Sequence, residues 1–430
     1  VVRNGDRRPD AIGFDRRALV KLAALGGASW LTRVAAALAR QDDLAPKGNR
    51  PPAQALIVLW LAGGPSQLET FDPHPGQKIS GDTRAIGTAV PGLKLAEGLE
   101  LVAEHMASIA VVRSVVSKEG DHERGTYLLK TGYRPDTTAV HPSIGAICCH
   151  ELPPAGTDIP RHISILANQW PPRGGFLGEK LDAFQAGDPA QKIADVALRV
   201  GLQQFDERLA MLKTIEGEFE RGRRRSVEAT LHRETVLAAR AMMTSDQLKA
   251  FDITQEPARR RAAYGHTPFG RGCLAARRLT EVGVRCVEVT LAGWDSHTNN
   301  HEVHKRLKAV LDPALAALMA DLKEHGSWKN TIVLVAGEFG RTPTINRLGG
   351  RDHWPHGFSV ALAGGAIRGG HAIGETDPDG GRAVHDPKQV GDIHATLLAA
   401  LGLDPAKQLV SPAGRPLKLA DGQPIAELLN

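Results

Sequence analysis

Ala55–Leu61 (ALIVLWL) is apolar at every position, and Thr331–Ala336 (TIVLVA) is nearly so. Unbroken apolar runs of this length predict strands buried on both faces, as in a parallel sheet covered by helices. Ile109–Val116, Val284–Leu291 and Phe358–Ala363 predict further strands, and Ile163–Leu166 a short one. Between them the pattern changes to helical spacing. Helices are predicted over Glu97–Met106, His141–Glu151, Phe269–Val282, His301–His325 and Gln389–Leu401, with a helical start at the YLLKTG segment. The alternation predicts a three-layer α/β/α sandwich with a mostly parallel sheet. Two long charged helices within roughly Pro189–Ala250 break the alternation and predict a helical insertion, bounded at about 189–265.

The polar residues that matter stand where predicted strands end. Glu338 lies between two glycines after the Thr331 strand, and Asp352, His353 and His356 follow closely. Asp295 and His297 follow the Val284 strand, and His301 opens the next helix. The Ala55 strand runs into Gly63-Gly64 and then Gln67, Glu69, Asp72 and His74. Carboxylates with imidazoles form the donor set of a divalent metal site. The carboxyl ends of strands are where open α/β sheets bind ligands. Asp121, His122, Arg124 and Thr126 precede the YLLKTG helix, whose free N–H groups favour an anion. His304, His325 and His394 are expected to be helix residues outside the site, the first two on the surface.

The first 39 residues form a separate unit. Arg16-Arg17 opens RRALVK, an Ala/Leu/Gly stretch follows, and Ala37-Leu38-Ala39 offers a small-residue cleavage site. This predicts a twin-arginine-type export signal over 1–39, a linker over 40–54 and one α/β domain over 55–430. Export machinery is the implied partner, and the periplasm or the exterior the implied location. No stretch is long and apolar enough for a stable membrane span.

Composition excludes more than it selects. Hydrophobic content of 42% and charged content of 23% belong to an ordinary globular protein. The formal charge is +5, of which residues 1–39 hold +4 (seven Lys/Arg against three Asp/Glu), leaving +1 elsewhere. That balance argues against nucleic acid as a partner. The run Arg221–Arg225 (RGRRR) is read as a solvated helix face. Cys148, Cys149, Cys273 and Cys286 show no disulfide spacing and are expected to be buried thiols.

Five segments taken together resemble domain-of-unknown-function family 1501 (DUF1501), sulfatase-like proteins of the alkaline phosphatase superfamily. They are LAGGPSQLETFDPHPG, VVRSVVSKEGDHERGTYLLKTGYRP, GWDSHTNN, GEFGRTPTINRLGGRDHWP and DIHATLLAALGLDP, spanning Leu61 to Pro405. The resemblance implies an α/β/α sandwich, one or two divalent metal ions (Zn, Ca, Mg or Mn) and hydrolysis of phosphate or sulfate esters. Asp295 and His297 match one metal-binding pair. Glu338 stands where relatives carry an Asp, and Asp352-His353 stands for a displaced Asp-His pair. Asp72 is a further metal candidate. Asp121, His122, Arg124, Thr126 and Arg341 are the catalytic candidates, the two arginines expected to neutralise ester oxygens.

Two departures from the family pattern bear on activity. No Asp directly follows the first strand, and no C-x-P-x-R follows the second. Cys273-Leu274-Ala275-Ala276-Arg277 matches a minimal C-x-A-x-R only inside a predicted helix, so formylglycine chemistry is not expected. Two functions stay open at this point. One is an exported metal-dependent ester hydrolase acting on a small-molecule or polysaccharide ester. The other is a non-catalytic, metal-stabilised secreted protein that binds sulfated or phosphorylated polysaccharide.

Overall fold

The structure, a computed structural model, describes residues 51–194, 196–220, 232–379 and 381–429. The export signal over 1–39, most of the linker and the Arg221–Arg225 run lie outside the described residues.

A nine-stranded sheet forms the middle layer. Its strands are β1 (Ala55–Ala62), β2 (Ile109–Val116), β3 (His162–Ile165), β4 (Phe184–Ala186), β5 (Cys286–Ala292), β6 (Thr331–Ala336), β7 (Phe358–Gly364), β8 (His371–Ile373) and β9 (Lys388–Gln389). The spatial order is β8-β2-β7-β6-β1-β5-β3-β4, and β9 also pairs with β2. Only β7 is reversed, antiparallel to both β2 and β6. The sheet is therefore mostly parallel.

β1 is apolar throughout because it lies centrally and serves two cores. Ile57, Leu59 and Leu61 join one hydrophobic cluster. Leu56, Val58, Trp60 and Ala62 join the other. The helices are α1 (Glu100–Glu104), α2 (His122–Thr131), α3 (Ile144–Glu151), α4 (Leu202–Glu220), α5 (His232–Thr244), α6 (Ala258–Ala263), α7 (Pro268–Glu281), α8 (Asn300–Glu324) and α9 (Val390–Ala400). The α7 and α8 side chains pack on the first face, and those of α2, α3 and α9 on the second. This is a three-layer α/β/α sandwich. Helices α4 and α5, joined by an Arg240–Asp206 pair, lie within the span expected for the insertion.

Two sequence expectations change. The helix expected over Glu97–Met106 is only α1, followed by a 3₁₀ turn at Met106–Ser108. His304, expected on a surface face of its helix, is fully buried. Its ring accepts the Ser66 N–H at Nε2 (2.9 Å) and donates from Nδ1 to the Asn300 carbonyl (2.9 Å).

Register positions the site. Ala62 of β1 pairs with Ala292 of β5, and Trp60 pairs with Ala336 of β6. Three adjacent parallel strands therefore end together, and their loops begin with Gly63, Gly293 and Gly337.

Candidate metal centre

Three imidazoles meet one carboxylate above those strand ends. Asp121 caps α2, its Oδ1 accepting the Arg124 N–H at 3.1 Å, and so fixes His122 as the first helical residue. His122 Nδ1 lies 2.7 Å from Glu338 Oε1, and its Nε2 lies 3.4 Å from Asp295 Oδ2. His353 comes from a two-residue ribbon, His353–Trp354 against Gly340–Arg341. It donates from Nδ1 to the Gly120 carbonyl (2.7 Å), and its Nε2 lies 3.4 Å from Asp295 Oδ1. His297 holds Asp352 Oδ1 at Nδ1 (2.7 Å). Its Nε2 lies 3.1 Å from Asp295 Oδ1 and 3.0 Å from His353 Nε2.

The three rings share one logic. Each Nδ1–H is held by an oxygen, which leaves the Nε2 lone pair facing Asp295. That is how metal-binding histidines are oriented by their outer partners. Donor atoms of His122, Asp295 and His353 lie within 4.8 Å of one another. The 3.0–3.4 Å separations given above match the edge of a tetrahedron with bonds of about 2.0–2.1 Å, roughly 3.3 Å. The residues present therefore fit a divalent cation.

The charges around this point are set by burial and pairing. The hydrogen bond to Glu338 raises the His122 pKa, against the opposing effect of burial. Burial lowers the His353 pKa. Burial pushes the Asp295 carboxyl up, but Arg341 more than offsets this, and its pKa is lowered. His297 holds the Asp352 carboxyl below its usual range.

The family of proteins of unknown function designated DUF1501 has a sequence signature that matches residues 53–429. The chain belongs to this family. Among curated proteins none matches it. Solved structures align with this DUF1501 chain over most of its length. An alkaline phosphatase superfamily protein from Vibrio parahaemolyticus is 11% identical, with 84% of this chain and 69% of that one covered, at a TM-score of 0.37. The alkaline phosphatase of the Antarctic bacterium TAB5 is 12% identical, covering 82% and 99%, at 0.38. The PsFucS1 sulfatase from Pseudoalteromonas sp. is 14% identical, covering 85% and 71%, at 0.37. Likenesses this distant transfer no activity.

The structure gives several of the DUF1501 chain's candidate residues places other than those expected. Glu338 and Asp352 stand behind His122 and His297 on the Nδ1 side. Glu338 Oε1 also accepts the Gly63 N–H at 2.9 Å, and its buried Oε2 has no hydrogen-bond partner among the described residues. Arg341 is fully buried and donates to Asp295 Oδ1 (2.6 Å) and to the carbonyls of Gly63, Gly64 and Arg351. It orients Asp295 instead of facing an ester. Arg124 grips Glu119 with two N–H groups, at 2.7 and 3.2 Å. Thr126 is 2% exposed, and its hydroxyl has no partner among the described residues. Asp72 is not brought to the cluster. It pairs with Arg113 (3.3 Å), accepts from Thr376, and borders a separate pocket of about 380 Å³ with His74 and Gln77. His356 turns to Trp354, ring centroids 4.9 Å apart.

Sequence reasoning missed Phe339, whose ring lies 4.4 Å from that of His353 and 5.1 Å from that of His122. Two glycines make room for it: a Cβ would sit 2.7 Å from the Phe339 ring at Gly64 and 3.1 Å from it at Gly125. It also missed the Gly120 carbonyl, Arg351, and Asn346, which donates to the His297 carbonyl at 3.0 Å. Cys273 lies in the core of α7, its thiol pushed up by burial, so the C-x-A-x-R match carries no chemistry here.

Proposed function

We propose that this DUF1501 chain is an exported, metal-dependent hydrolase of phosphate or sulfate esters. One observation carries the reading: three histidines each commit Nδ1 to an oxygen and turn Nε2 toward one carboxylate. Such a pattern stores ring orientation, which a merely solvated cluster has no need to do. His122, Asp295 and His353, with His297 beside them, would hold the cation. A nitrogen-rich set of this kind suits zinc better than calcium, magnesium or manganese.

A bound cation would polarise the ester oxygen and lower the pKa of a water molecule. The chain's own residues do the rest. Glu338, Asp352 and the Gly120 carbonyl fix the three tautomers, and Arg341 fixes the Asp295 carboxylate. Phe339 packs against two of the rings and excludes water there. Water is the nucleophile of this reading: it adds to phosphorus or sulfur, and the alcohol leaves with a proton. Thr126 is too enclosed for that role. Burial pushes all four cysteine thiols up, Cys149 to about 12. The RRALVK segment supports export in the folded state, after metal uptake.

One observation favours a second reading, a non-catalytic protein that binds sulfated or phosphorylated polysaccharide. Both candidate anion-binding guanidiniums are engaged elsewhere, Arg124 with Glu119 and Arg341 with four acceptors. Metal analysis of protein purified without chelator, beside a panel of aryl phosphates and aryl sulfates, separates the two. Metal with turnover supports the hydrolase. Metal without turnover supports the binding protein. Absence of both removes the metal centre.

A further inference from the structure

Arg351 is fully buried, one residue before Asp352-His353, and touches three of the loops around the candidate centre. Its Nε and Nη2 donate to Glu69 Oε1 at 3.1 and 2.9 Å. Glu69 belongs to the loop after β1 and is 1% exposed. The Arg351 Nη2 also donates to the Ile79 carbonyl (2.9 Å) of the same loop. Its Nη1 donates to the carbonyls of Thr342 (2.9 Å) and Pro343 (2.5 Å), in the loop after β6. Its backbone N–H donates to the Ser296 carbonyl (2.9 Å), and Ser296 stands between Asp295 and His297. Its own carbonyl accepts from Arg341, the arginine that holds Asp295.

Glu69 makes this arrangement tolerable. A guanidinium buried without a counter-charge is strongly destabilising. Glu69 supplies that charge and is itself held by the Thr83 hydroxyl (3.0 Å), with His301 Nδ1 at 3.5 Å. A lysine could neutralise Glu69, but it has no rigid fork to reach three carbonyls as well.

We propose that the buried Glu69–Arg351 pair is a positioning device for the metal centre. It ties the loops after β1, β5 and β6 into one unit, so that Asp295, His297 and His353 are preorganised before a cation arrives. Neither residue touches the cation; both act through Ser296, Arg341 and the Asp352-His353 backbone. The inference rests on the metal centre proposed above.

The test is Co²⁺ titration of the full chain, read by visible absorption, beside thermal unfolding of the same samples. Arg351→Lys keeps the charge and loses the fork, and Glu69→Gln leaves the fork without its counter-charge. Each should weaken Co²⁺ binding about tenfold or more, the scale of outer-partner mutations. The double variant Glu69→Gln/Arg351→Met removes the charge imbalance. It should recover thermal stability relative to Glu69→Gln while its Co²⁺ affinity stays low and its spectrum altered. Wild-type affinity and spectrum in the double variant would overturn the positioning role and leave the centre standing. A wild-type chain that takes up no Co²⁺ would overturn the centre, and this inference with it.

Discussion

Glu338 stands directly behind His122: one oxygen, Oε1, lies 2.7 Å from the His122 Nδ1 and 2.9 Å from the Gly63 amide nitrogen. The carboxylate therefore ties the helix α2 start to the ends of β1 and β6 and sets which nitrogen of His122 faces Asp295. Glu338→Gln keeps an acceptor but loses the charge, and Glu338→Ala loses both. Zinc affinity should fall about tenfold for the first and toward a hundredfold for the second. A chelator-competition titration measures it. Two variants that titrate like wild type would remove Glu338 from the centre.

Asp295 is the point on which the three Nε2 atoms converge. Asp295→Asn should lose zinc more than a hundredfold, because the variant presents a neutral amide. The fold should survive, since Arg341 keeps the carbonyls of Gly63, Gly64 and Arg351. Stability should fall by about 3 kcal/mol or more, because the buried Arg341 guanidinium loses the carboxylate it pairs with. Circular dichroism with metal analysis checks both halves. Full zinc occupancy in the variant would move the site elsewhere.

The sheet was legible because period and length decide it. Ile109–Val116 and Thr331–Ala336 are strands over the very residues the apolar runs mark. The gathering of acids and imidazoles was legible because each group follows a strand. Which acid faces the centre and which stands behind was not. That depends on ring orientation across pairs 216 residues apart (His122 and Glu338) and 55 apart (His297 and Asp352). A guanidinium in the sequence suits an anionic ester, whereas the fold buries Arg341 against the carbonyls of Gly63, Gly64 and Arg351. An amphipathic helix points to a surface place for His304, but a Ser66 amide 238 residues away claims its ring.

Gly63 is the first residue after β1. Its φ is +114°, and a Cβ there would lie 2.4 Å from the Asp295 amide nitrogen. The residue after β1 is therefore packed against the residue that bears the carboxylate. Gly63→Ala should cost about 1–3 kcal/mol from backbone conformation alone, with more from displacing Asp295. Urea unfolding and zinc titration should both report the loss. Unchanged zinc affinity would show that the Asp295 backbone can shift freely.

Acid should destabilise the protein before its carboxylates titrate. Burial lowers the pKa of His162, His304 and His394 from 6.5 to about 4. His162 Nε2 and His394 Nδ1 are buried without hydrogen-bond partners among the described residues, so an added proton would find no acceptor. The unfolded chain binds protons at 6.5 and the folded chain only near 4. Stability is therefore complete above about pH 6.5, declines as pH falls, and loses about 3 kcal/mol per histidine below about 4. Glu69 does not contribute in this window: burial would raise its pKa, but Arg351 more than offsets that and brings it to about 2. Urea midpoints measured from about pH 7.5 to about 4.5 should fall steadily, and His394→Leu should flatten the slope. A midpoint constant over that range would contradict the account.

Cys273 provides the sharpest test against a formylglycine mechanism. The thiol is fully buried in α7, among side chains that pack on the sheet, and burial holds it protonated. A maturing enzyme would need this segment extended and accessible, and a catalytic aldehyde would need to face the centre at Asp295. Cys273 should therefore carry an unmodified thiol in protein purified from an exporting host, as read by intact and peptide mass. Cys273→Ala should lower stability by about 1–2 kcal/mol, the scale of a small core truncation, and leave zinc affinity and ester turnover at wild-type levels. An aldehyde at position 273, or turnover abolished with zinc retained, would overturn both the reading of α7 as core and the assignment of water as nucleophile.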